Sequence, residues 1–221
     1  MDTVTIDRAI SPTSAIEARL LDSPLGQMGG VTLLDDLVDP ATVAALAREA
    51  LVRGATATRQ RGDTHAVDDR RSDVAGRALA SSGGGPVQDA LYESPGLLAR
   101  LSELCGTRIC PTGHRGSYSY YTRQGDHLDL HVDVQRCDVT VITVLQDSTP
   151  RHGVEGALAT WSNHLCAPLT MIRESDAAPT AVTKAPQGAS VVLLGGILPH
   201  AVLPIGATGT RVISPLCFAA D

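Results

Sequence analysis

In "GDHLDLHVDVQRCDVTVITVL", residues 125 to 145, a row of histidines and acids runs directly into an apolar segment. His127, Asp129, His131 and Asp133 alternate with apolar residues, so an extended chain would point all four side chains to one face. Such side chains are costly to bury unless they are paired or bind a metal ion. The stretch therefore predicts a strand that carries polar ligands into a protein interior.

The second half of the chain has the pattern of several short strands. "VTVITVL" is apolar or β-branched on both faces, as expected for the central strand of a sandwich. The other β-rich runs, separated by Gly, Pro, Asn and Asp, are "YSYYT", "ALATW", "ASVVLLG", "HAVLPI" and "RVISPLCF". Short strands joined by turns favour a sandwich or jelly roll over alternating βα units. We therefore expect a mainly β fold with flanking helices.

Two amphipathic helices are predicted in the first half of the chain. The first is "DPATVAALAREALVRG", residues 39 to 54, with Asp39 as its N-cap and Gly54 as its stop. The second is "SPGLLARLSELCG", residues 94 to 106, which Gly106 closes. Each has one apolar stripe at helical spacing, so we expect both helices to pack against the sheet.

The segment between these helices, residues 59 to 85, is polar and charged and ends in three glycines. A long irregular loop inside a compact domain is usually a binding loop, a lid or a solvated segment. As a lid it would bring His65 and Arg71 to a substrate. As a solvated charge run it would have no role in binding, and the sequence leaves both interpretations open.

The composition argues against several classes of protein. With 24 acidic and 18 basic residues the formal charge is −6, and no basic stripe is present, so we expect no nucleic-acid partner. The first residues lack a secretory pattern, and no run approaches the ~20 apolar residues that span a bilayer. The five cysteines form neither a CxxC pair nor a disulfide-like framework. We expect reduced, buried thiols in a cytoplasmic protein without a membrane partner.

A single divalent metal ion would explain why a strand carries His131 and Asp133 into an interior. Two histidines and one carboxylate on one face of a metal form the arrangement of non-haem Fe(II) oxygenases. His200, at the start of "HAVLPI", supplies a third ligand 67 residues after Asp133. Arg211 opens the last β-rich run, and an arginine in a dry pocket is a natural bidentate partner for a carboxylate. The pattern thus indicates a metal site beside a carboxylate-binding site.

In this ordered set of motifs the sequence resembles the Fe(II)/2-oxoglutarate-dependent dioxygenases, especially the prolyl-hydroxylase-like branch. The set consists of a tyrosine followed by "GD" and "HVD", then "VTVITVL", then "PHAVLPIGATGTR", and the likeness covers roughly residues 95 to 218. It implies a double-stranded β-helix, a distorted jelly roll with helices on one side. Residues 1–221 would form one dioxygenase domain, in which a helical and loop portion (1–110) packs on the β-helix core (111–221).

The resemblance also implies roles for individual residues and for Fe(II), 2-oxoglutarate and O2. His131, Asp133 and His200 would bind Fe(II), and Arg211 would pair with the C5 carboxylate of the cosubstrate 2-oxoglutarate. Tyr121, ten residues before His131, would contact the cosubstrate, with Tyr118 as the second candidate for that contact. O2 would be the other cosubstrate, and the products would be succinate, CO2 and a hydroxylated small molecule such as an amino acid or a secondary-metabolite intermediate.

Several alternatives stay open at the level of sequence. His127 and Asp129 form a second HxD with the same parity as His131 and Asp133, although the spacing from "GD" favours the later pair. A cupin-like metal oxygenase would use the same ligands without 2-oxoglutarate, but Arg211 argues against it. A non-catalytic jelly-roll binding module would make the histidines structural. A peptide substrate is the alternative to a small molecule, and the oligomeric state is not indicated.

Overall fold

The computed structural model describes residues 14–63, 75–113, 115–134 and 136–221. Six α-helices are present in this part of the chain, and their bounds are α1 Ala15–Asp22, α2 Pro24–Gln27, α3 Pro40–Gly54, α4 Pro86–Tyr92, α5 Pro95–Cys105 and α6 Leu169–Glu174. The strands are β1 Val31–Leu34, β2 Thr58–Gly62, β3 Arg77–Gly83, β4 Ile109–Pro111, β5 Ser117–Tyr121, β6 His127–His131, β7 Val139–Asp147, β8 Leu158–Thr160, β9 Ala181–Thr183, β10 Ser190–Leu193, β11 His200–Val202 and β12 Arg211–Ala220.

All of these strands belong to one curled antiparallel sheet. Its order is β1-β10-β7-β12-β5-β3-β6-β11-β8-β9, with β2 paired to β3 and β4 paired to β12. Consecutive strands are often not neighbours, which is the connectivity of a jelly roll rather than of a meander. The predicted mainly β architecture with flanking helices, in the form of a double-stranded β-helix, is thereby confirmed.

The two faces of the sheet bury two separate apolar clusters. One face, which we call the barrel interior, is lined by residues such as Val144, Leu158, Val191, Val202 and Ile213. On the opposite face, side chains of β5, β7 and β12 pack against α1, α3 and α5; the buried contacts include Leu46, Ala50, Leu97, Leu101, Tyr118, Val139, Val141 and Phe218. Each fully buried aliphatic side chain of this kind contributes roughly 1.5–3 kcal/mol. The helices thus hold the sheet in its curled shape, as their apolar stripes predict.

The ends of the two predicted helices follow from capping. The Asp39 carboxylate accepts hydrogen bonds from the backbone N–H groups of Ala41 and Thr42 at the start of α3. Helix α5 ends at Gly106, whose φ of 61° is the left-handed conformation that glycine adopts without strain. Helix α3 ends at Gly54, the predicted stop, which is its last helical residue and is followed by Ala55 as the C-cap.

The first 110 residues contain more strand than the sequence pattern indicates. Four strands, β1 to β4, lie wholly or largely in this portion and extend the sheet. Within the segment 59–85, expected to be an irregular loop, β2 pairs along its full length with β3, and β3 also pairs with β5. Pairing with neighbouring strands overrides the weak local preference of these polar runs. His65 and Arg71 lie outside the described residues, so the lid stays a prediction.

One expectation about the cysteines is wrong. Cys137 and Cys217 form a disulfide with a Cα–Cα distance of 5.2 Å, although they are 80 residues apart in sequence. The register of β7 with β12 places Cys217 opposite Thr140, close to the turn that carries Cys137, and sequence spacing does not reveal this. Cys105, Cys110 and Cys166 are not part of a disulfide among the described residues. The cytoplasmic location stays a prediction. Within the described residues, no helix has the length and apolarity needed to cross a membrane.

Candidate metal centre and barrel interior

Three side chains that can share one metal ion meet near one end of the barrel interior. His131 ends β6 and His200 begins β11, and they are directly opposite each other in this antiparallel pair. Asp133 follows β6, where its backbone N–H donates to the carbonyl oxygen of Gly195 over 2.8 Å. One ligand atom from each of His131, Asp133 and His200 lies within 4.8 Å of the other two. The structure therefore brings together the three residues that the sequence singles out, and we call them the triad.

Backbone hydrogen bonds fix which nitrogen each histidine presents. Nδ1 of His131 lies 2.8 Å from the carbonyl oxygen of Asp129, and Nδ1 of His200 lies 2.8 Å from that of Leu198. Since a carbonyl oxygen only accepts, each Nδ1 carries the hydrogen and each neutral ring keeps its lone pair on Nε2. The two Nε2 atoms lie 3.6 Å and 3.8 Å from Oδ1 of Asp133. All three atoms thus converge on one point between them.

Burial and mutual charge set the protonation of the triad. Burial, followed by repulsion from the protonated form of the neighbouring imidazole of His131, lowers the pKa of His200 to about 4, so its ring is neutral at pH 7. Burial alone would raise the pKa of Asp133. The attraction of the Asp133 carboxylate to His131 and His200 in their protonated forms, together with the Thr140 hydroxyl, outweighs burial and holds this pKa well below its ordinary value. A neutral imidazole and an ionised carboxylate are the forms that bind metal ions.

The carboxylate of Asp133 is oriented by its neighbours. The Thr140 hydroxyl, on the inner face of β7, donates to Oδ2 of Asp133. Gly195 closes the other side, because a Cβ there would lie 2.0 Å from Oδ2 of Asp133 and 2.6 Å from Oγ1 of Thr140. Only a glycine leaves room for the carboxylate in this place, so the local sequence reserves the space for a ligand group.

The rival pair, His127 and Asp129, faces away from the triad because β6 contains a bulge. His131 is opposite His200, but Leu128 is opposite the residue two positions after His200, so β6 has one extra residue between these pairs. The extra residue reverses the alternation of side chains. Leu128 accordingly packs in the barrel interior, while the side chains of His127 and Asp129 are 30% and 45% exposed. The prediction that all four odd-numbered residues share one face is wrong for this pair.

A fourth polar side chain, that of Thr160 on β8, borders the triad. Thr160 is directly opposite His200 in the β8–β11 pair, so both side chains lie on the same face of the sheet. Its hydroxyl is fully buried and has no hydrogen-bond partner among the described residues. An unsatisfied buried hydroxyl costs roughly 1–3 kcal/mol, and native proteins rarely leave one without a reason. Its place beside His200 suits a polar group bound at the triad.

The other end of the barrel interior holds buried charges around Arg211. Arg211 begins β12, opposite Tyr121 on one side and Asp147 on the other. Its Nη1 pairs with Oδ2 of Asp147 and also donates to the carbonyl oxygen of Ala185 over 3.3 Å. Nζ of Lys184 lies 3.5 Å from the same carboxylate oxygen. We call Arg211, Lys184 and Asp147 the cationic cluster, since these three side chains sum to one positive charge.

A second bulge directs Asp147 into this cluster. Consecutive residues of β12 are opposite Gln146 and Val144, so Leu145 of β7 is left without an opposite residue. Val144 faces the barrel interior and Leu145 the helices. Regular alternation would therefore turn Asp147 toward the helices, whereas the bulge turns it inward to Arg211.

The two tyrosine candidates lie on opposite faces of β5. Tyr121 is buried in the barrel interior next to Arg211, and this burial raises its pKa above the ordinary value. Tyr118 packs under the helices instead, where its hydroxyl donates to Oε1 of Glu49 over 2.6 Å. The structure therefore places Tyr121 within the candidate site and Tyr118 outside it, because residues an odd number of positions apart in a strand point to opposite faces.

A cleft of about 610 Å³ opens next to the triad. Its walls include Asp133 and Thr140, so the cleft borders the aspartate of the triad. Arg115, Ser117 and the disulfide-bonded Cys217 line other parts of it. The volume lies in the range of small-molecule sites, which makes this cleft the candidate entrance for a substrate.

Sequence reasoning missed four residues of this site. Thr140 and Thr160 are hydroxyls at inward positions of otherwise apolar strands, a signal that the strand pattern offered. Lys184 is the only lysine in a chain with 18 lysines and arginines, which also could have drawn attention to it. Asp147 gave no signal, because its orientation depends on a bulge.

Comparison with known proteins supports the fold. No protein-family model and no curated protein matches the sequence. Among solved structures, the chain is similar to a prolyl-4-hydroxylase from Pseudomonas putida, with 17% identity, a TM-score of 0.51, and 94% of this chain and 98% of that chain covered. A prolyl hydroxylase from Trichoplax adhaerens, in complex with a hypoxia inducible factor peptide, has 17% identity and a TM-score of 0.56, with 92% and 90% covered. HygX from Streptomyces hygroscopicus, with nickel and 2-oxoglutarate bound, has 15% identity and a TM-score of 0.59, with 95% and 88% covered.

The chain has the double-stranded β-helix fold of the Fe(II)/2-oxoglutarate-dependent oxygenases, a class that includes prolyl hydroxylases. Within that fold it carries a triad of two histidines and one aspartate.

Proposed function

We propose that this protein is an Fe(II)- and 2-oxoglutarate-dependent oxygenase that hydroxylates a small molecule and releases succinate and CO2. The observation that carries the proposal is the convergence of two histidine Nε2 atoms and one carboxylate oxygen on one point. Two imidazoles and one carboxylate are the donor set of non-haem Fe(II) oxygenases, and they leave positions open for other ligands. A carboxylate from Asp133 in this set favours hydroxylation over halogenation, in which that position is left to chloride.

The cationic cluster supports a dicarboxylate cosubstrate. The guanidinium of Arg211 is buried, and its planar fork matches a carboxylate. Val202 and Leu158, each one inward position beyond His200 and Thr160, border the same small cavity as Arg211. Along the inner face, the triad is therefore followed by apolar side chains and then by a positive charge. A molecule with a chelating group at one end and a carboxylate at the other matches this order of features.

The residues of the chain would divide the work between the two ends. When bound, iron and 2-oxoglutarate would supply the oxidising chemistry. His131, Asp133 and His200 would hold the ion, and Thr140 would keep the Asp133 carboxylate in its ligating orientation. Arg211 would hold the distal carboxylate of the cosubstrate, while the apolar walls between the two ends would exclude water.

The size of the cleft beside Asp133 favours a small molecule as substrate. A peptide side chain is the alternative, since one solved structure with a similar fold has a peptide bound. An assay of amino acids and short peptides, in which succinate release measures conversion, distinguishes a small-molecule substrate from a peptide substrate. We also propose that the protein acts in the cytoplasm, and fractionation of cells that express it would test this.

The decisive experiment is an anaerobic visible spectrum of the Fe(II)-loaded protein during titration with 2-oxoglutarate. We expect a charge-transfer band in the wild type. At equal cosubstrate the band should be weaker in Arg211→Ala, which loses the distal carboxylate partner, and absent in His131→Ala, which loses an iron ligand. Bound iron without a band would favour an oxygenase that does not use 2-oxoglutarate. Absence of bound iron would contradict the proposal and favour a non-catalytic binding module.

A further inference from the structure

To bind Arg211, the distal carboxylate of 2-oxoglutarate must compete with a carboxylate of the protein itself. The guanidinium pairs with Asp147, and both side chains are more than nine-tenths buried. The cavity that borders Arg211 measures about 20 Å³, which is room for about one water molecule. A five-carbon dicarboxylate is much larger than this. The Arg211–Asp147 pair must therefore loosen before a cosubstrate carboxylate can reach Arg211.

Asp147 is held in place by groups other than Arg211. Its Oδ1 accepts hydrogen bonds from the backbone N–H of Thr149, at 2.9 Å, and from the Thr149 hydroxyl. Only Oδ2 is shared between Arg211 and Lys184. If the guanidinium turns away, the Asp147 carboxylate stays where it is and keeps Lys184 as its cation.

Lys184 is built into this position. Its Nζ donates to the Thr149 hydroxyl and to the carbonyl oxygen of Glu155, and its side chain is only 17% exposed. It is the only lysine of a chain that otherwise uses arginine for its basic residues. A compact ammonium with three donors suits the small space between these oxygens, whereas the wide fork of an arginine does not.

A count of charges shows what Lys184 contributes. Arg211, Lys184 and Asp147 sum to +1, so one added carboxylate makes the group neutral. Without Lys184, the same carboxylate would leave Arg211 between two anions and a net charge of −1 in a buried site, which is costly. The nearby Glu155 is only half-buried and its carboxylate accepts a hydrogen bond from Gly206, so its field is more strongly screened by solvent.

We propose that Lys184 is a positioning residue that retains the Asp147 carboxylate when Arg211 is transferred to the distal carboxylate of the cosubstrate. This inference rests on the proposed function, because it concerns the cosubstrate of that same site. According to this inference, the positive charge of Lys184 is needed for cosubstrate binding only as long as Asp147 carries its negative charge. That condition can be tested by combining the two substitutions.

The test is calorimetric titration of 2-oxoglutarate into the metal-loaded protein without oxygen, which measures binding and not turnover. We expect Lys184→Met to weaken binding by roughly tenfold or more, since close charge pairs in a buried site are strongly coupled. The double variant Asp147→Asn/Lys184→Met should bind within about threefold of the wild type, because the competing carboxylate is gone. Asp147→Asn alone should bind at least as tightly as the wild type.

A 2-oxo monoacid, 2-oxobutyrate, serves as the control ligand because it lacks the distal carboxylate. Its affinity should be the same for the wild type and Lys184→Met. Wild-type affinity for 2-oxoglutarate in Lys184→Met would overturn the inference, and so would a double variant as weak as the single one. If Lys184→Met does not fold, the inference stands or falls with Asp147→Asn, and weaker binding there overturns it. Failure of the wild type to bind 2-oxoglutarate would instead overturn the proposed function.

Discussion

The two ends of the barrel interior are built in the same way but carry opposite charge. At the triad, a half-buried carboxylate and the lone pairs of two imidazoles face one point, an arrangement that attracts a cation. At the cationic cluster, Arg211 and Lys184 share the single carboxylate of Asp147, an arrangement that attracts an anion. A bulge next to each end turns the decisive side chains inward or the rival ones outward.

Apolar residues separate the two ends and make the difference useful. Leu128, Leu158 and Val202 lie between the triad and the cationic cluster on the inner face. Because these apolar side chains keep the oppositely charged groups apart, the two ends do not form an ion pair with each other. A ligand with a different group at each end can therefore bind in only one direction.

The largest expected effect separates the triad from the rival HxD pair on the same strand. Asp133→Ala removes the only carboxylate of the triad, and we expect a loss of Fe(II) affinity and of 2-oxoglutarate turnover of more than about 100-fold. Asp129→Ala is the matched control, because it removes a carboxylate only four residues away that faces outward. Metal content after dialysis and succinate release measure both variants.

The same measurements can also show that the metal site is at the other HxD pair. Full metal binding in Asp133→Ala together with a loss in Asp129→Ala would show that the outward pair is the site. It would also show that the bulge in β6 does not set which side chains enter the barrel interior.

A smaller effect is expected at Thr160, which borders the triad with an unsatisfied hydroxyl. Thr160→Val replaces that hydroxyl with a methyl group of similar size. Without ligands the variant should be as stable as the wild type or more stable by up to roughly 1–3 kcal/mol, because no buried donor is left unpaired. In the anaerobic titration, the Fe(II)-loaded variant should bind 2-oxoglutarate roughly tenfold more weakly than the wild type, since a hydrogen-bond partner of the bound group is lost.

Stability is expected to rise or stay the same while affinity falls, so a general loss of structure cannot account for the expected result. A threonine that only filled space would show no change in affinity in Thr160→Val. Thr160→Ser, which keeps the hydroxyl, should retain wild-type affinity. A variant that is less stable without ligand would mean that the hydroxyl already has a partner within the protein.

Much of this arrangement follows from the sequence by simple periodicity. The alternation in "HVD" and the apolar run after it determine both a strand and its inward ligands, and the ordered His200 and Arg211 complete the set. Helix α5 was predictable at both ends because Ser94 and Gly106 cap it locally. Features that depend on neighbours in the chain are thus well determined by sequence.

Features that depend on the pairing of strands far apart in the chain are not determined by local sequence. The bulges at Leu145 and within β6 result from the register of two strands, so the inward direction of Asp147 could not be read from its own neighbourhood. The Cys137–Cys217 disulfide and the pairing of β2 with β3 have the same origin. In each case the missing information is which strand lies alongside, and local pattern does not contain it.

The smallest effect is expected at Asp126, a buried acid that belongs to neither end of the barrel interior. Its carboxylate pairs with Arg59 and accepts hydrogen bonds from the backbone N–H groups of Thr122 and Arg123, which fixes the turn between β5 and β6. Asp126→Asn should lower the free energy of unfolding by roughly 1–3 kcal/mol at pH 7. The affinity for 2-oxoglutarate should not change, in contrast to Arg211→Ala.

The dependence of this effect on pH follows from the sign of the pKa shift. Burial alone would raise the pKa of Asp126, but the hydrogen bond from Arg59 and the two backbone donors outweigh it and lower the pKa below its ordinary value. The stabilisation is therefore present above the unfolded-state pKa of about 4 and is lost as the pH falls through the lower folded-state value. Denaturant unfolding at pH 7 and pH 3 should show the difference between wild type and Asp126→Asn shrinking at the lower pH. A difference that stays constant or grows would mean that Asp126 acts through packing and not through its charge.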